Sequence, residues 1–270
     1  MRTAKEGAPQ KEAVEVLVNY QIAPGVFRLH LRSPQVAEAI EGGQFVHLRI
    51  NGGDTLLRRP LSVCQADNGE IHILYAVVGK GTSLLAEKPI GDNSMDVLGP
   101  LGREWPIDEG VKAPLLVGGG LGIAPLGKLA HYFRDKSIPV TIIQGGQNAE
   151  RLLVRDDHKD VERDIRFATD DGSFGYHGLV TELVKEAIAE KEYDRVYICG
   201  PEVMQQAVSK ITLEAGIETF VSFERRMACG IGACLGCVIP TTEGLKRVCA
   251  DGPVFNATEV MWDDAVTSRV

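Results

Sequence analysis

Two kinds of hydrophobic periodicity divide the chain. From Ala13 to about Trp105, short runs rich in β-branched residues alternate with turn residues, at residues 14–22, 26–32, 44–50, 61–65 and 71–78. Such spacing predicts antiparallel strands that form a sheet or close into a small barrel. One short helix fits inside this region, at residues 82–88, opened by Thr82, whose hydroxyl can cap it. Beyond residues 106–113 the pattern changes. Apolar strand candidates at residues 114–118, 140–144, 165–169, 195–199 and 218–222 alternate with helical patterns at 124–136, 179–190 and 202–215. That alternation predicts a parallel α/β sheet. From about Glu224 the chain is loop-rich and holds most of its cysteines. The expected organisation is therefore multi-domain: a tail at 1–12, an antiparallel β-barrel domain at 13–110, a parallel α/β nucleotide-binding domain at 111–223, and a small C-terminal domain at 224–270.

Composition narrows the function classes. At 270 residues, 44% hydrophobic and 24% charged, the chain can bury ordinary globular cores. Its net charge of -8 argues against a nucleic-acid partner gripped through phosphates, which needs a basic face. The most apolar stretch, residues 115–126, is broken by four glycines and a proline, so no membrane span is expected. The first dozen residues are polar, without the apolar core of a signal peptide. A cytoplasmic chain with reduced thiols is the expectation.

The cysteines carry the strongest signal. Cys229, Cys234 and Cys237 are spaced C-x4-C-x2-C, and Cys249 follows after eleven residues. The first three match the plant-type ferredoxin pattern for a 2Fe–2S cluster. A loop wrapping such a cluster must bring backbone N–H groups to its sulfurs, and Gly230, Gly232 and Gly236 permit that path. Structural zinc sites show paired knuckles, and Cys249 has no neighbouring partner. A redox pair at Cys234 and Cys237 leaves the other two thiols unexplained. The four are read as cluster ligands.

Three further stretches suit nucleotides. Gly118, Gly119, Gly120 and Gly122 run from a strand into a helix, where backbone can approach a pyrophosphate; tight helix–strand packing explains the same glycines equally well. The stretch nearly spells a phosphate-binding loop with Gly122, Gly127 and Lys128, but Leu129 offers no hydroxyl for magnesium, so ATP is not expected. Cys199–Gly200–Pro201 stands at the carboxyl edge of the same sheet. In the barrel, Arg59–Pro60–Leu61–Ser62 opens a strand with an arginine suited to a diphosphate and a hydroxyl suited to a ring edge. Gly81–Thr82 forms another anion-binding turn. Tyr75 could stack on a ring, although aromatics in strands are more often core. No arginine directly follows Gly145–Gly146–Gln147–Asn148, which favours NAD over NADP, with Arg151 close by. Histidines 30, 47, 72, 131, 158 and 177 form no metal-like pair and are read as surface or satisfied residues.

Taken together, Arg59–Pro60–Leu61–Ser62, Gly81–Thr82, Gly118–Gly119–Gly120, Cys199–Gly200–Pro201 and the block from Glu224 through Cys249 to Phe255 resemble the ferredoxin–NADP reductase superfamily, and within it the electron-transfer subunits of dihydroorotate dehydrogenase B. The resemblance implies FAD in the barrel, contacted by Arg59, Pro60, Leu61, Ser62, Leu74, Tyr75, Ala76, Gly81 and Thr82. It implies NAD as substrate at Gly118, Gly119, Gly120, Gly200 and Pro201, and cluster ligation by Cys229, Cys234, Cys237 and Cys249. An FMN-containing catalytic subunit that oxidises dihydroorotate is the implied partner, in a heterotetramer of two plus two. Hydride carriers move two electrons and a 2Fe–2S cluster moves one, so a flavin must stand between them. Ser62 near the flavin and Cys199 near the nicotinamide are then the candidate catalytic positions. Reductase subunits of bifurcating transhydrogenase, sulfhydrogenase or sulfide dehydrogenase complexes share these motifs, and a non-catalytic redox sensor is the rival of another class.

Overall fold

The computed structural model describes residues 9–52, 55–153 and 164–263. The N-terminal strands are β1 (Gln10–Ala23) and β2 (Val26–Arg32), then helix α1 (Pro34–Ala39), β3 (Phe45–Arg49), β4 (Arg59–Asp67), β5 (Glu70–Ala76), helix α2 (Lys80–Ala86) and β6 (Met95–Leu101). They close into an antiparallel barrel in the order β1-β2-β5-β4-β3-β6. Strand alternation sends Leu29, Leu31, Ile71, Ile73 and Tyr75 into its interior, all essentially inaccessible.

Four differences from the sequence reading have identifiable causes. Residues 10–12, expected in the tail, belong to β1, where Gln10 pairs with Gly99 of β6; residues 1–8 lie outside the described residues. Strand β6 was hidden by Gly99–Pro100, since glycine and proline demote a strand pattern. Helix α1 is a second short helix, begun by Ser33–Pro34, with proline in its first turn. The Glu12 carboxylate supplies the missing cap, accepting from Ser33 Oγ at 2.5 Å and Val36 N–H at 3.2 Å. Thr82 sits inside α2 rather than before it, and its hydroxyl reaches back to accept from Val78 N–H at 2.9 Å.

The second unit runs β7 (Pro114–Gly119), helix α3 (Gly127–Asp135), β8 (Thr141–Gly146), β9 (Asp164–Thr169), β10 (Tyr176–His177), α4 (Val180–Glu190), β11 (Arg195–Cys199), α5 (Glu202–Glu214) and β12 (Glu218–Ser222). Its main strands are parallel, as the alternation predicts. The helix expected at 124–136 is split: 3-10 turns span Gly120–Leu126, with Pro125 inside them, and α3 starts only at Gly127. The last stretch forms a hairpin, β13 (Val238–Thr241) and β14 (Gly244–Arg247), then β15 (Val254–Asn256). Strand β15 returns to the large sheet and pairs antiparallel with β12, giving the order β10-β9-β8-β7-β11-β12-β15.

Trp105 cements barrel to sheet. It is fully buried, donates from Nε1 to Pro125 O at 3.0 Å, and meets Tyr197 edge-on at 5.5 Å. Gly43 packs so closely that an added Cβ would stand 2.9 Å from the Trp105 backbone nitrogen. Trp105→Ala is expected to destabilise the fold by roughly 3–5 kcal/mol, as for other large buried aromatics. Denaturant unfolding of the flavin-free chain measures this.

Candidate functional site

The barrel and sheet leave a cavity of about 730 Å³ between them, the size range of cofactor sites. One wall is β4, with Arg59, Pro60, Leu61 and Ser62; Leu74, Tyr75 and Ala76 of β5 and Thr82 of α2 continue it. The 3-10 turns close the opposite side with Leu121, Ala124 and Pro125. The third wall runs from Ser222, the end of β12, through Glu224 to Met227.

Arg59 is held in place at the cavity wall. Its guanidinium donates to Leu57 O at 2.5 Å and lies directly over Gly81, where an added Cβ would fall 2.3 Å from Nε. Its neighbour Arg58 is committed to the barrel instead. It pairs with Asp96 and donates to His47 O at 3.1 Å, tying β4 to β3 and β6. Tyr75 lines the cavity without offering its ring. Alternation along β5 turns the side chain into the barrel, where it stacks on Phe27 at 5.5 Å and donates from its hydroxyl to Asn19 Oδ1 at 3.0 Å. Of the two readings of this aromatic, core and ring stacking, the side chain adopts the first.

At the sheet's carboxyl edge, Gly118 of β7 stands beside Cys199 of β11, which stands beside Ser222 of β12. The two glycine loops press together. A Cβ at Gly119 would meet Pro201 and Met204 at 2.7 and 2.6 Å, and one at Gly122 would fall 2.5 Å from Cys199 O. A side chain at Gly200, whose φ is +153°, would meet Met204 and Gly119. Packing thus accounts for Gly118, Gly119, Gly122 and Gly200, while a Cβ at Gly120, whose φ is +53°, would meet nothing within 4 Å. Cys199 is wholly buried just behind the cavity wall. Burial first, then the nearby Glu224 carboxylate, pushes its thiol up, so it is an uncharged group there.

The four cysteines of the C-terminal loop stand as two pairs in side-chain contact, Cys229 with Cys234 and Cys237 with Cys249. Gly232 N–H donates to Cys249 Sγ at 3.1 Å, Cys234 N–H to Cys229 Sγ at 3.4 Å, and Cys249 N–H to Cys237 Sγ at 3.4 Å. Burial works to raise the Cys229 thiol, but N–H groups of Ile231, Cys234 and Ala233 outweigh it and bring it down to about 6. N–H donors of this kind suit anionic thiolates around a cluster, although at Cys249 burial and the Cys237 thiol outweigh the Gly232 N–H and push the thiol up to about 12. Arg247 holds the loop from behind, donating to both Asp251 oxygens and to Gly232 O.

His47, read from sequence as a surface or satisfied residue, is a buried one that sequence reasoning missed. It is inaccessible to solvent on β3, and burial, with the Arg58 cation, brings its pKa down to about 4. A Cβ at Gly230 would stand 2.5 Å from its Nδ1, so the cluster loop rests on this imidazole. The sequence signal was its place in the otherwise apolar run of β3, where Phe45, Val46, His47 and Leu48 are all buried. Gly230→Ala, at φ +72°, is expected to cost about 1–3 kcal/mol and to lower iron and acid-labile sulfide per chain. Thermal unfolding with iron analysis checks both. His30 and His72, also read as unpaired, stack across β2 and β5 with ring centroids 3.8 Å apart. His158 lies outside the described residues.

The residues fit their expected groups: a dinucleotide-sized cavity with an arginine poised over a glycine, and a thiol cage lined with donors. Comparison with known proteins agrees. Residues 224–261 match the iron–sulfur cluster binding domain of dihydroorotate dehydrogenase B, and residues 116–210 match an oxidoreductase NAD-binding domain. The electron transfer subunit of dihydroorotate dehydrogenase B (NAD(+)) from Geobacillus thermodenitrificans is 40% identical over 260 residues, covering 93% of this chain and 98% of that one. The subunit of the same description from Desulforamulus reducens is 35% identical over 256 residues, covering 92% and 97%. Among solved structures, a chain from the NADH-dependent reduced ferredoxin–NADP oxidoreductase, described in the context of flavin-based electron bifurcation, superposes with a TM-score of 0.85 at 31% identity, covering 94% and 92%. The ferredoxin reductase of carbazole 1,9a-dioxygenase shares the fold, with a TM-score of 0.67 at 21% identity, covering 78% and 68%. No helix among the described residues is long and apolar enough to cross a membrane.

Proposed function

The chain belongs to the family of electron-transfer subunits of NAD-dependent dihydroorotate dehydrogenase B, and on that premise we propose that it links an FMN-containing, dihydroorotate-oxidising partner to NAD⁺ through a 2Fe–2S cluster and FAD. Bound FAD supplies the exchange between single electrons and hydride that neither the cluster nor the nicotinamide can perform alone. The division of labour is residues 13–110 for FAD, 111–223 for NAD and 224–270 for the cluster.

One observation carries most of the weight. The segment walling the large cavity, Glu224 to Met227, continues within two residues to Cys229. The cavity and the thiol cage are thus consecutive stations on one strap. Arg59, set over Gly81, neutralises the diphosphate, and Pro60 and Leu61 supply apolar wall. The Ser62 hydroxyl addresses the edge of the ring system, with Leu74, Ala76 and the backbone of Tyr75 beside it. Gly120 and the Gly200–Pro201 turn admit the dinucleotide, with Cys199 as a small uncharged backing group. The cysteines hold the cluster, and the exposed rim of Cys234 with Ile231 and Leu235 offers an apolar face to the catalytic subunit.

The assembly is read as two copies of each subunit, in the cytoplasm; light scattering of the purified complex checks the stoichiometry. A second reading, service in a flavin-based bifurcating complex, is favoured by the 31% identity to the oxidoreductase chain. The 35–40% identities of the curated relatives favour dihydroorotate. Purification with the native partner decides between them. Dihydroorotate-dependent NAD⁺ reduction supports the first, and a complex active with NADH and dye but inert towards dihydroorotate refutes it.

A further inference from the structure

We propose that His30, His72 and Glu70 form a binding site for a borderline divalent transition metal, represented by Zn²⁺, on the outer face of the barrel. Alternation along two neighbouring strands puts the three on one face. Leu29, Leu31, Ile71 and Ile73 point inward and are inaccessible, which turns His30, Glu70 and His72 outward. His30 is the direct cross-strand partner of His72, and Glu70 lies two residues from His72 on the same strand.

The ligand atoms of all three lie within 4.8 Å of one another. The imidazoles stack nearly parallel, at an interplanar angle of 6°, and the Glu70 carboxylate stands 3.8 Å from His72 Nε2. Tetrahedral Zn–N bonds of about 2.0–2.1 Å bring ligand nitrogens to roughly 3.3 Å of one another, so binding would draw the three groups closer and splay the stacked rings. His30 Nε2 and His72 Nε2 are both shielded from solvent and have no hydrogen-bond partner among the described residues. Two shielded imidazole nitrogens without partners are a costly arrangement without a ligand, and two imidazoles with a carboxylate close by are a suitable set with one.

The surroundings agree. Burial is the largest influence on each imidazole and acts in the same direction on both, against the charged form. Asp67 adds a second carboxylate to the neighbourhood, partly offset by Arg28. A side cavity of about 170 Å³ borders both rings and reaches Gly127 and His131 of α3, leaving room for waters to complete the coordination shell. It touches Leu74 and Ala124, which also line the large cavity, so the metal would sit behind the wall of that cavity. A bound ion would staple β2 to β5 beside the junction with the α/β unit.

The test uses the complete chain carrying its flavin and cluster, washed with chelator and kept anaerobic. Zn²⁺ is titrated by calorimetry while the visible spectrum of the cluster is followed. The expected result is one equivalent bound with the cluster spectrum intact and a raised Tm. His30→Gln and His72→Gln are each expected to weaken binding by roughly tenfold or more, while NADH–dye turnover stays unchanged. Co²⁺ titrated into the unmutated protein should give the d–d absorption of a nitrogen-ligated site, a readout that needs no variant. Absence of binding, equal binding in both variants and the unmutated protein, or uptake that bleaches the cluster would each overturn the proposal.

Discussion

Cys234→Ala is expected to strip the chain of iron and acid-labile sulfide while leaving the flavin in place. Cys234 is exposed, so its loss opens no core cavity and the protein should fold. What disappears is one of four thiolates, together with an anchor for the loop whose N–H groups point at the sulfurs. Even changes outside the ligand shell of a metal site commonly cost about 10–100-fold, and removal of a ligand should cost more. Dihydroorotate-linked NAD⁺ reduction should fall by at least that factor, whereas NADH–dye reduction, which bypasses the cluster, should stay within about twofold, the change of a surface substitution. Cys64→Ala is the control. Cys64 is on β4, donates to His72 O at 3.1 Å, and stands apart from the thiol cage, so its replacement should leave iron and sulfide at the level of the unmutated protein.

Gly81→Ala should reproduce the effect of Arg59→Ala on flavin affinity, although alanine removes no charge. An added Cβ would lie 2.3 Å from Arg59 Nε and 2.5 Å from Nη2, so the guanidinium has to leave its place. Loss of a charge-assisted hydrogen bond costs about 1.5–3 kcal/mol, which converts to about 10- to 150-fold in FAD dissociation constant. Arg59→Lys should recover only part of this, because an ammonium cannot present the planar fork. Gly79→Ala is the contrasting case, since its Cβ would meet nothing within 4 Å and its backbone is extended. Flavin fluorescence titration of the apoprotein separates the four variants. Equal affinity in Gly81→Ala and Gly79→Ala would show that Arg59 does not act through this position.

Legibility in the sequence followed the range of the forces involved. The parallel unit was readable because buried strands such as β7 and β11 are continuous apolar runs punctuated by helices. The cysteine cage was readable because its spacing is local. The cap of α1 was not, because Glu12 reaches Ser33 across twenty-one residues. Strand β6 was concealed by its own glycine and proline, and β15 by its brevity, three residues that count as strand only beside β12. Tyr75 shows the limit of motif transfer: its position lines the cavity, while pleat alternation gives the ring to the core. His47 and the His30–His72 pair were invisible for the same reason, since cross-strand register is settled by tertiary pairing and not by neighbours in sequence.

The central claim is that four cysteines hold a 2Fe–2S cluster in electronic contact with a flavin in the adjoining cavity. Low-temperature electron paramagnetic resonance of anaerobically purified protein, recorded before and after addition of NADH, tests it most directly. The account predicts a silent oxidised sample that gains the signal of a reduced 2Fe–2S cluster, together with bleaching of the bound flavin. Protein that contains zinc without acid-labile sulfide, or whose flavin bleaches while no cluster signal develops, would contradict it.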